Sequence, residues 1–517
     1  MTSTSSPAAG LVRGRHVIQG IGRDGEPRII ADGAIEFREG MIAAVGDFAE
    51  LSRRHPDLQV LGGRDAVIAP GFVNGHHHVG LTPLQLGSPD YPLELWFASR
   101  LGARAVDPYL DALHSAFEMI ASGITTVQHL HGRIFGPLDA LLDGARATIR
   151  AYRDVGMRVS YSYGIRDQNR LVYADDDAFC AKLPKPLGER LRAILRAQVV
   201  PVSDALALFS ALDAENRRGG RARVQLAPQN LHWCSDRALT DIAAASRASG
   251  APMHMHLLET AYQREYARRR NGGSPIRFLH GLGMLGPDMT LGHGVWCAQD
   301  DFEILAESGA CVCCNASSNL RLRSGIAPHA GFKRHGITLG MGIDEAGIND
   351  DRDMLLEMRM LLGLSRTPGM DNAPFTPAEV FRIATEGGAA TTPFKGAIGA
   401  LQPGCAMDCV VFDWPAIAGP FLDARTPLVD ALVQRAKPAH ISCVMVEGRE
   451  IYKDGRFLLI DRDEIEARIA ERMRREPTAD ELERAQVSEE VFEHVRDFYL
   501  AYVETPAMTP HSLFNAR

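Results

Sequence analysis

The sequence holds no run of apolar residues approaching the ~20 that cross a bilayer, so no membrane association is expected. It also lacks a basic excess. Lysine and arginine number 56 against 64 aspartates and glutamates, for a formal net charge of -8, which argues against a nucleic-acid partner because such proteins present a basic face. Nine cysteines in 517 residues are scattered, where a disulfide framework would space them through loops. Three of them, Cys311, Cys313 and Cys314, crowd one apolar segment and read as buried thiols on a strand, which fits a reducing, cytoplasmic compartment. The CxxC formed by Cys311 and Cys314 has no second pair, so a zinc knuckle is not expected. Between residues 67 and 392 no GxGxxG joins an expected strand to the helix that follows it, which weakens a doubly wound dinucleotide fold. Met1–Gly10 is small and polar, without the basic-then-apolar order of a secretory signal, and is expected as a frayed tail.

What is present is ordinary globular composition, 45% hydrophobic and 23% charged. By length alone about three domains fit, but an α/β barrel absorbs 250 residues or more as one unit. Short β-rich runs open the chain: Ile29-Ile30, Gly33–Phe37 and Met41–Gly46, separated by Asp-Gly and Glu-Gly turns. The same texture returns at Asp408–Asp413, Ile441–Val446 and Glu450–Tyr452. Between these flanks, apolar β-type runs alternate with helical stretches such as Pro108–Ala121 and Arg237–Ser249. Eight strands are expected: Val67–Val73, Ile124–His129, Arg158–Tyr163, Val224–Ala227, Pro252–Leu257, Met289–Gly292, Ala310–Cys314 and Ile337–Gly342. Eight βα units close most economically into a barrel. The fold expected is therefore α/β: a (β/α)8 TIM-type barrel over 67–392, with a small β-sandwich domain built from both chain ends (1–66 and 393–460). Residues 461–517 turn strongly charged with apolar positions at helical spacing, and are expected as a helical extension on the barrel or on a partner subunit.

The strongest local signal is Pro70-Gly71-Phe72-Val73-Asn74-Gly75-His76-His77-His78. An apolar strand ends, and His76 and His78 follow at i, i+2. In extended backbone alternate side chains share a face, so both imidazoles can address one ion while His77 points away. The pattern recurs: His254-Met255-His256-Leu257-Leu258-Glu259, Leu291-Gly292-His293 and Gly342-Ile343-Asp344-Glu345 each end an expected strand. Barrel closure brings such ends together, at the face where barrel active sites lie.

At these residues the chain resembles the amidohydrolase superfamily, in the branch of aminohydrolases acting on cytosine, guanine, adenosine and s-triazine compounds. The matching pieces are PGFVNGHHH, GITTVQH (Gly123–His129), HLLE, LGHGV, CNASSNLRLRSGIAP (Cys314–Pro328), GIDEAGIND (Gly342–Asp350) and GAIGALQPGCAMDCVVFD (Gly396–Asp413). Together they span the chain from about residue 10 to 460. The resemblance implies one divalent ion, held by His76 and His78 from the first strand, His256 from the fifth and Asp344 from the eighth. His256 is preferred to His254 because the family's ligand precedes the glutamate by three, and His254 is expected to point away. His293 would contact the reacting water or the developing oxyanion, Asp344 would take the water's proton, and Glu259 would carry a proton to a ring nitrogen. Zinc suits three nitrogens and one oxygen, although iron and manganese accept the same ligands.

The chain also departs from that pattern. Many relatives carry a Pro-His pair after the fourth strand, where this chain reads Ala227-Pro228-Gln229-Asn230-Leu231-His232, so Gln229 or His232 is expected to meet substrate. Glu345 and Asp350 add carboxylates after the metal aspartate, and a helix cap is favoured for them over contact with a substrate amine. Tyr163, Asn319, Arg321 and Arg323 lie in loops after strands and complete the expected substrate contacts, with Trp96, Phe97, Arg100 and Arg166 as further lining. The reading is a deaminase that replaces an amino group on a small heterocycle with water, in a homo-oligomer of the kind the branch favours. Two alternatives stand beside it: opening of a cyclic amide or urea, or loss of chloride or thiol, at the same site; and an inactive metal-binding scaffold.

Overall fold

The computed structural model describes residues 8–217, 220–366, 370 and 375–503. The amino-terminal segment gives strands β1 (Ala9–Ile21), β2 (Pro27–Arg38), β3 (Met41–Asp47) and β4 (Val60–Pro70). The middle gives β5 (Phe72–His77), β6 (Ile124–His131), β7 (Arg158–Ile165), β8 (Ala222–Val224), β9 (Ala227–Pro228), β10 (Met253–Leu257), β11 (Met289–His293), β12 (Cys311–Cys314) and β13 (Leu339–Met341). Last come β14 (Cys409–Asp413), β15 (Ile441–Val446), β16 (Arg449–Lys453) and β17 (Arg456–Phe457).

The run expected as one strand over Val67–Val73 is two. Val67 to Pro70 belong to β4, which pairs with β1 and β14, and the strand bearing the histidines begins at Phe72. Both strands are buried along this stretch, so the apolar run continues across a change of sheet that periodicity does not register. Strands from both chain ends build one flanking sheet of eight strands in the order β17-β16-β15-β14-β4-β1-β2-β3.

The middle strands form two parallel sheets, β5-β6-β7-β8 with β9 on β7, and β10-β11-β12-β13. Isolated parallel bridges join them: Leu226 to Met253 and Asn230 to His256 on one side, His77 to Asp344 on the other. Helices between the strands form where caps and apolar faces agree. Pro108–Ala121 starts on Asp107, whose carboxylate accepts from Tyr109 N and Leu110 N, and has proline in its first turn. Asp236–Ser249 runs from a Ser235 cap to a left-handed Gly250. Their apolar faces join one large core with the strands' buried side chains.

The segment 185–216 is apolar enough by count to suggest a membrane helix, with mean hydropathy 1.3. Pro201 divides it into helices Lys185–Ala197 and Val202–Asn216, each short of the ~20 residues a bilayer requires. The carboxy-terminal extension is helical at Arg462–Met473 and Ala479–Leu500, and packs on its own chain. Val487, Val491, Val495 and Tyr499 share a core with Leu171, Val172, Tyr173 and Phe179, and Ser488 Oγ donates to Ala98 O at 2.7 Å. Residues 504–517 of that expected extension lie outside the described residues. All nine cysteines are free, and Cys311, Cys313 and Cys314 are buried on β12.

Candidate active site

The carboxyl ends of the parallel strands bring the motif residues together. His76 lies near the end of β5 and His78 just past it, His256 near the end of β10, His293 at the end of β11, and Asp344 three residues beyond β13. Two glycines permit the approach. A Cβ on Gly342 would lie 2.5 Å from His76 Cβ, and one on Gly292 would lie 3.0 Å from His76 Cε1. Leu258, His293 and Asp344 have φ of 53°, 74° and 65°. Such left-handed backbone at a residue other than glycine costs on the order of 1–3 kcal/mol and persists where the surroundings impose it.

Three imidazole nitrogens face one point. His76, His78 and His256 Nε2 are 3.0–3.1 Å apart, and Asp344 Oδ1 is 3.1 Å from His78 Nε2 and 3.6 Å from His76 Nε2. The far nitrogens decide what these atoms carry. His78 Nδ1 donates to Leu130 O and His256 Nδ1 to Gln229 O, each at 2.7 Å. A carbonyl only accepts, so both Nδ1 atoms hold the proton and both Nε2 atoms present bare lone pairs. Lone pairs crowded at 3 Å repel unless a cation sits among them. The spacing is close to the ~3.3 Å edge of a tetrahedron with metal–ligand bonds of ~2.0–2.1 Å. The donor set therefore fits a divalent ion.

The electrostatics agree. Burial pushes His76 and His256 well below the usual imidazole value, and the neighbouring histidines add to the effect, keeping both rings neutral. Burial opposes charge on Asp344, but the His78 hydrogen bond and the facing His78, His293 and His256 outweigh it and hold the carboxyl well below its ordinary value. Asp344 Oδ2 also accepts from Ser318 Oγ at 2.6 Å.

His254 does not point away. It lies two residues before His256 on the same face of β10, and its Nε2 is 2.8 Å from His76 Nδ1. In a strand i and i+2 share a face, so the side that aims His256 at the centre also places His254 behind His76. His77, by contrast, does turn away, with Nδ1 on Asp344 O at 3.0 Å.

Glu259 is buried beside this cluster, its Oε2 3.8 Å from His293 Nε2 and its Oε1 without a partner. Burial, together with Asp344 and Glu94, pushes its carboxyl well above the ordinary value, which favours its acid form. His293 Nδ1 faces Asn319 Oδ1 at 2.9 Å, which directs His293 Nε2 towards both Glu259 and Asp344, the latter 3.9 Å away.

These groups open on a cavity of about 450 Å³ lined by His78, Gln229, His256, Glu259, His293 and Asp344, with Trp96, Phe97, Arg100, Arg133, Arg166 and Trp233. Among the expected substrate contacts Gln229 lines it, and its buried Oε1 has no partner. The others do not. His232 is buried against Tyr173, ring centroids 4.1 Å apart. Asn319 is taken up by His293. Arg321 pairs with Asp90 at 3.0 Å and Asp350 at 3.1 Å. Arg323 is exposed on the outer surface of its loop, away from the cavity. Tyr163 donates its hydroxyl to Ile134 O at 2.9 Å. Glu345 and Asp350 cap no helix: Asp353 caps the following one, while Glu345 binds Arg100 at 2.7 Å on the cavity wall. Sequence reasoning missed Arg133, which follows β6 directly, and Glu94, which lies buried with Tyr173 and Thr260 behind Glu259. A charged residue in the first positions after a barrel strand was the signal available for Arg133.

Comparison with known proteins follows this geometry. The chain is similar to a 5-methylthioadenosine/S-adenosylhomocysteine deaminase of Nitratidesulfovibrio vulgaris, 29% identical over 446 residues that cover 85% of this chain and 92% of that protein. Its fold matches a zinc-bound adenosine deaminase of Xanthomonas campestris, with TM-score 0.76 and 22% identity over 90% of this chain and 98% of that one. It also matches the zinc complex of an atrazine chlorohydrolase of Arthrobacter aurescens, with TM-score 0.76 and 21% identity over 89% and 99% of the two chains. The amidohydrolase family model matches residues 67–451, and the chain belongs to that family.

Proposed function

We propose that this chain is a metal-dependent aminohydrolase, replacing the amino group of an N-heterocycle with the oxygen of water and releasing ammonia. The two parallel sheets are read as one (β/α)8 barrel, and His76, His78, His256 and Asp344 as the ligands of a single divalent ion. Zinc is the ion we favour, since three nitrogens and one oxygen suit it and two neighbours in fold carry it. The observation that carries the reading is Glu259: a buried carboxyl with one oxygen free, at the wall of the cavity beside the donor cluster, where burial favours the acid form. A protonated acid at that place is what ring-nitrogen protonation requires.

When bound, the ion supplies a water whose pKa falls towards ~7. The remaining work belongs to the side chains. Glu259 gives its proton to a ring nitrogen, which makes the adjacent carbon electrophilic. His293, aimed by Asn319, holds the attacking water between Glu259 and Asp344. Asp344, ionised, accepts a proton from that water and passes it to the departing amine. The balance closes: the water's oxygen becomes the ring carbonyl, one of its protons ends on the ring nitrogen by way of Glu259, and the other leaves in ammonia. Relatives named as deaminases of adenosine derivatives support this bond as the one broken.

The test is a panel of aminated purines, pyrimidines, pterins and triazines incubated with zinc-loaded protein, following ammonia and product mass together. Ammonia with exchange of amine for hydroxyl is expected. Chloride or thiol release, or ring opening without ammonia, would overturn the proposal.

A further inference from the structure

Most cations on the cavity wall are already matched. Arg100 binds Glu345 at 2.7 Å, Arg170 binds Asp176 at 3.0 Å, and Arg484 binds Asp480 at 2.9 Å. Arg133 and Arg166 are not. A guanidinium has five N–H donors, and among the described residues each of these two makes one hydrogen bond to a neutral acceptor: Arg133 Nη2 to Arg100 O at 3.4 Å, and Arg166 Nη2 to Gln198 Oε1 at 3.2 Å. Neither meets a carboxylate. Both line the cavity, where burial, with Arg100 next, lowers Arg133 to about 9, and burial lowers Arg166 to about 10. Arg133 is exposed and Arg166 half-buried, so both keep guanidinium surface that a ligand in the cavity can reach. Arg166 also lies over the Phe135 ring at 5.3 Å, which limits its freedom to swing out to bulk water.

A guanidinium on the cavity wall with no carboxylate partner keeps N–H donors free for an anion. Two such groups on the loops after β6 and β7, sharing a cavity with the strand-end cluster, form a receptor for negative charge. We infer that the substrate is an aminated heterocycle bearing an acidic oxyanion group, a carboxylate or a phosphate, which Arg133 and Arg166 grip while the amine-bearing carbon lies at Glu259. The inference rests on the deaminase reading and narrows its substrate. Planar forks that present paired N–H groups match both kinds of oxyanion.

Two measurements test it. The first needs no turnover: Trp96 and Trp233 line the cavity, so their fluorescence reports binding to the zinc-loaded protein. Benzoate, phenyl phosphate and benzamide are titrated in turn. Saturable binding of benzoate or phenyl phosphate, at least about 10-fold tighter than benzamide, is expected, and whichever binds more tightly names the group. The Arg133→Met and Arg166→Met proteins, and their combination, should lose that preference, with Arg166→Lys keeping part of it because the charge stays and the fork goes. Equal binding of acid and amide, or a preference that survives both methionine substitutions in proteins of native circular dichroism, overturns the inference. The second compares aminated rings with and without an acidic substituent. Ammonia from neutral rings at rates equal to their acidic counterparts defeats this inference and leaves the deaminase proposal standing. Ammonia from none, with anion binding intact, does the reverse.

Discussion

Arg158 at the start of β7 and the histidine cluster at the far ends of the strands both bury charge, but they satisfy it differently. Arg158 Nε and Nη2 meet Asp408 at 3.0 and 3.2 Å, its Nη1 donates to Gly220 O at 2.8 Å, and Glu447 adds an ion pair at 3.2 Å. Asp408 accepts in turn from Glu447 N at 2.8 Å. At the opposite ends of the strands, Glu259 Oε1, Gln229 Oε1 and Glu345 Oε2 are buried without partners, and the backbone is left-handed at three residues other than glycine. Buried polar groups are hydrogen-bonded as a rule. Where the rule holds, at Arg158, the cluster ties the flanking sheet to the parallel strands. At the strand ends, the three residues that depart from the rule line the cavity.

The contrast breaks most sharply on removal of the ion. Dialysis of the protein against a chelator is expected to reduce ammonia release to background while far-UV circular dichroism stays native, because the donor cluster is one end of a large apolar core. Zinc should restore the rate to the wild-type protein, and His78→Ala should bind less zinc and remain inactive. Full activity and metal content in His78→Ala would remove it from the ligand set. Next in size, Glu259→Gln keeps the shape of the side chain and cannot serve as an acid–base group. A fall in kcat of about 10² or more is expected, with unchanged zinc content by atomic absorption. A rate within threefold of wild type would take the acid away from Glu259.

The Arg158 cluster should answer in the other currency, stability. Arg158→Met strands Asp408 in the interior, and breaking a buried pair this way costs about 3–5 kcal/mol. Urea denaturation should show that loss, while kcat per folded molecule and zinc content hold. A variant as stable as wild type, or one that is stable and inactive, would erase the distinction between the two clusters.

How far the sequence foretold this division depends on where the information lies. The clustered histidines were legible because each sits in a strand-end motif whose facing follows from the two-residue period of a strand. Pro108–Ala121 was legible through its Asp107 cap and its proline. The split between β4 and β5 was not, since an apolar run buried on both sides of a sheet change has no periodicity to break. Where the side chains of Asn319, Arg321 and Tyr163 point was not legible for a related reason. A position in a loop after a strand brings a residue near the site, but the direction of its side chain depends on partners distant in sequence, such as Asp90 for Arg321 and Ile134 for Tyr163. The unmatched state of Arg133 and Arg166 could not be read from the chain at all, because it consists in carboxylates that are elsewhere.

Glu94 sharpens the comparison at its boundary, since one of its oxygens accepts two hydrogen bonds yet it stands behind the reactive acid. Its Oε1 accepts from Tyr173 Oη at 2.9 Å and from Thr260 Oγ1 at 2.5 Å. Burial still pushes its pKa up to about 7, against the lowering effect of both hydroxyls. A carboxyl whose folded value exceeds its unfolded value keeps a proton that the unfolded chain releases, so stability falls as pH rises from about 4.5 to about 7. Below that window both states are protonated and the effect vanishes. Glu94→Gln cannot ionise, so its stability relative to wild type should improve across the window and level off above it, by on the order of 3 kcal/mol. Urea midpoints at pH 5, 6, 7 and 8 measure the difference. A gap that stays constant with pH would mean that Glu94 is ionised in the folded protein, and its charge would then stand behind Glu259 as a permanent reason for that acid to keep its proton.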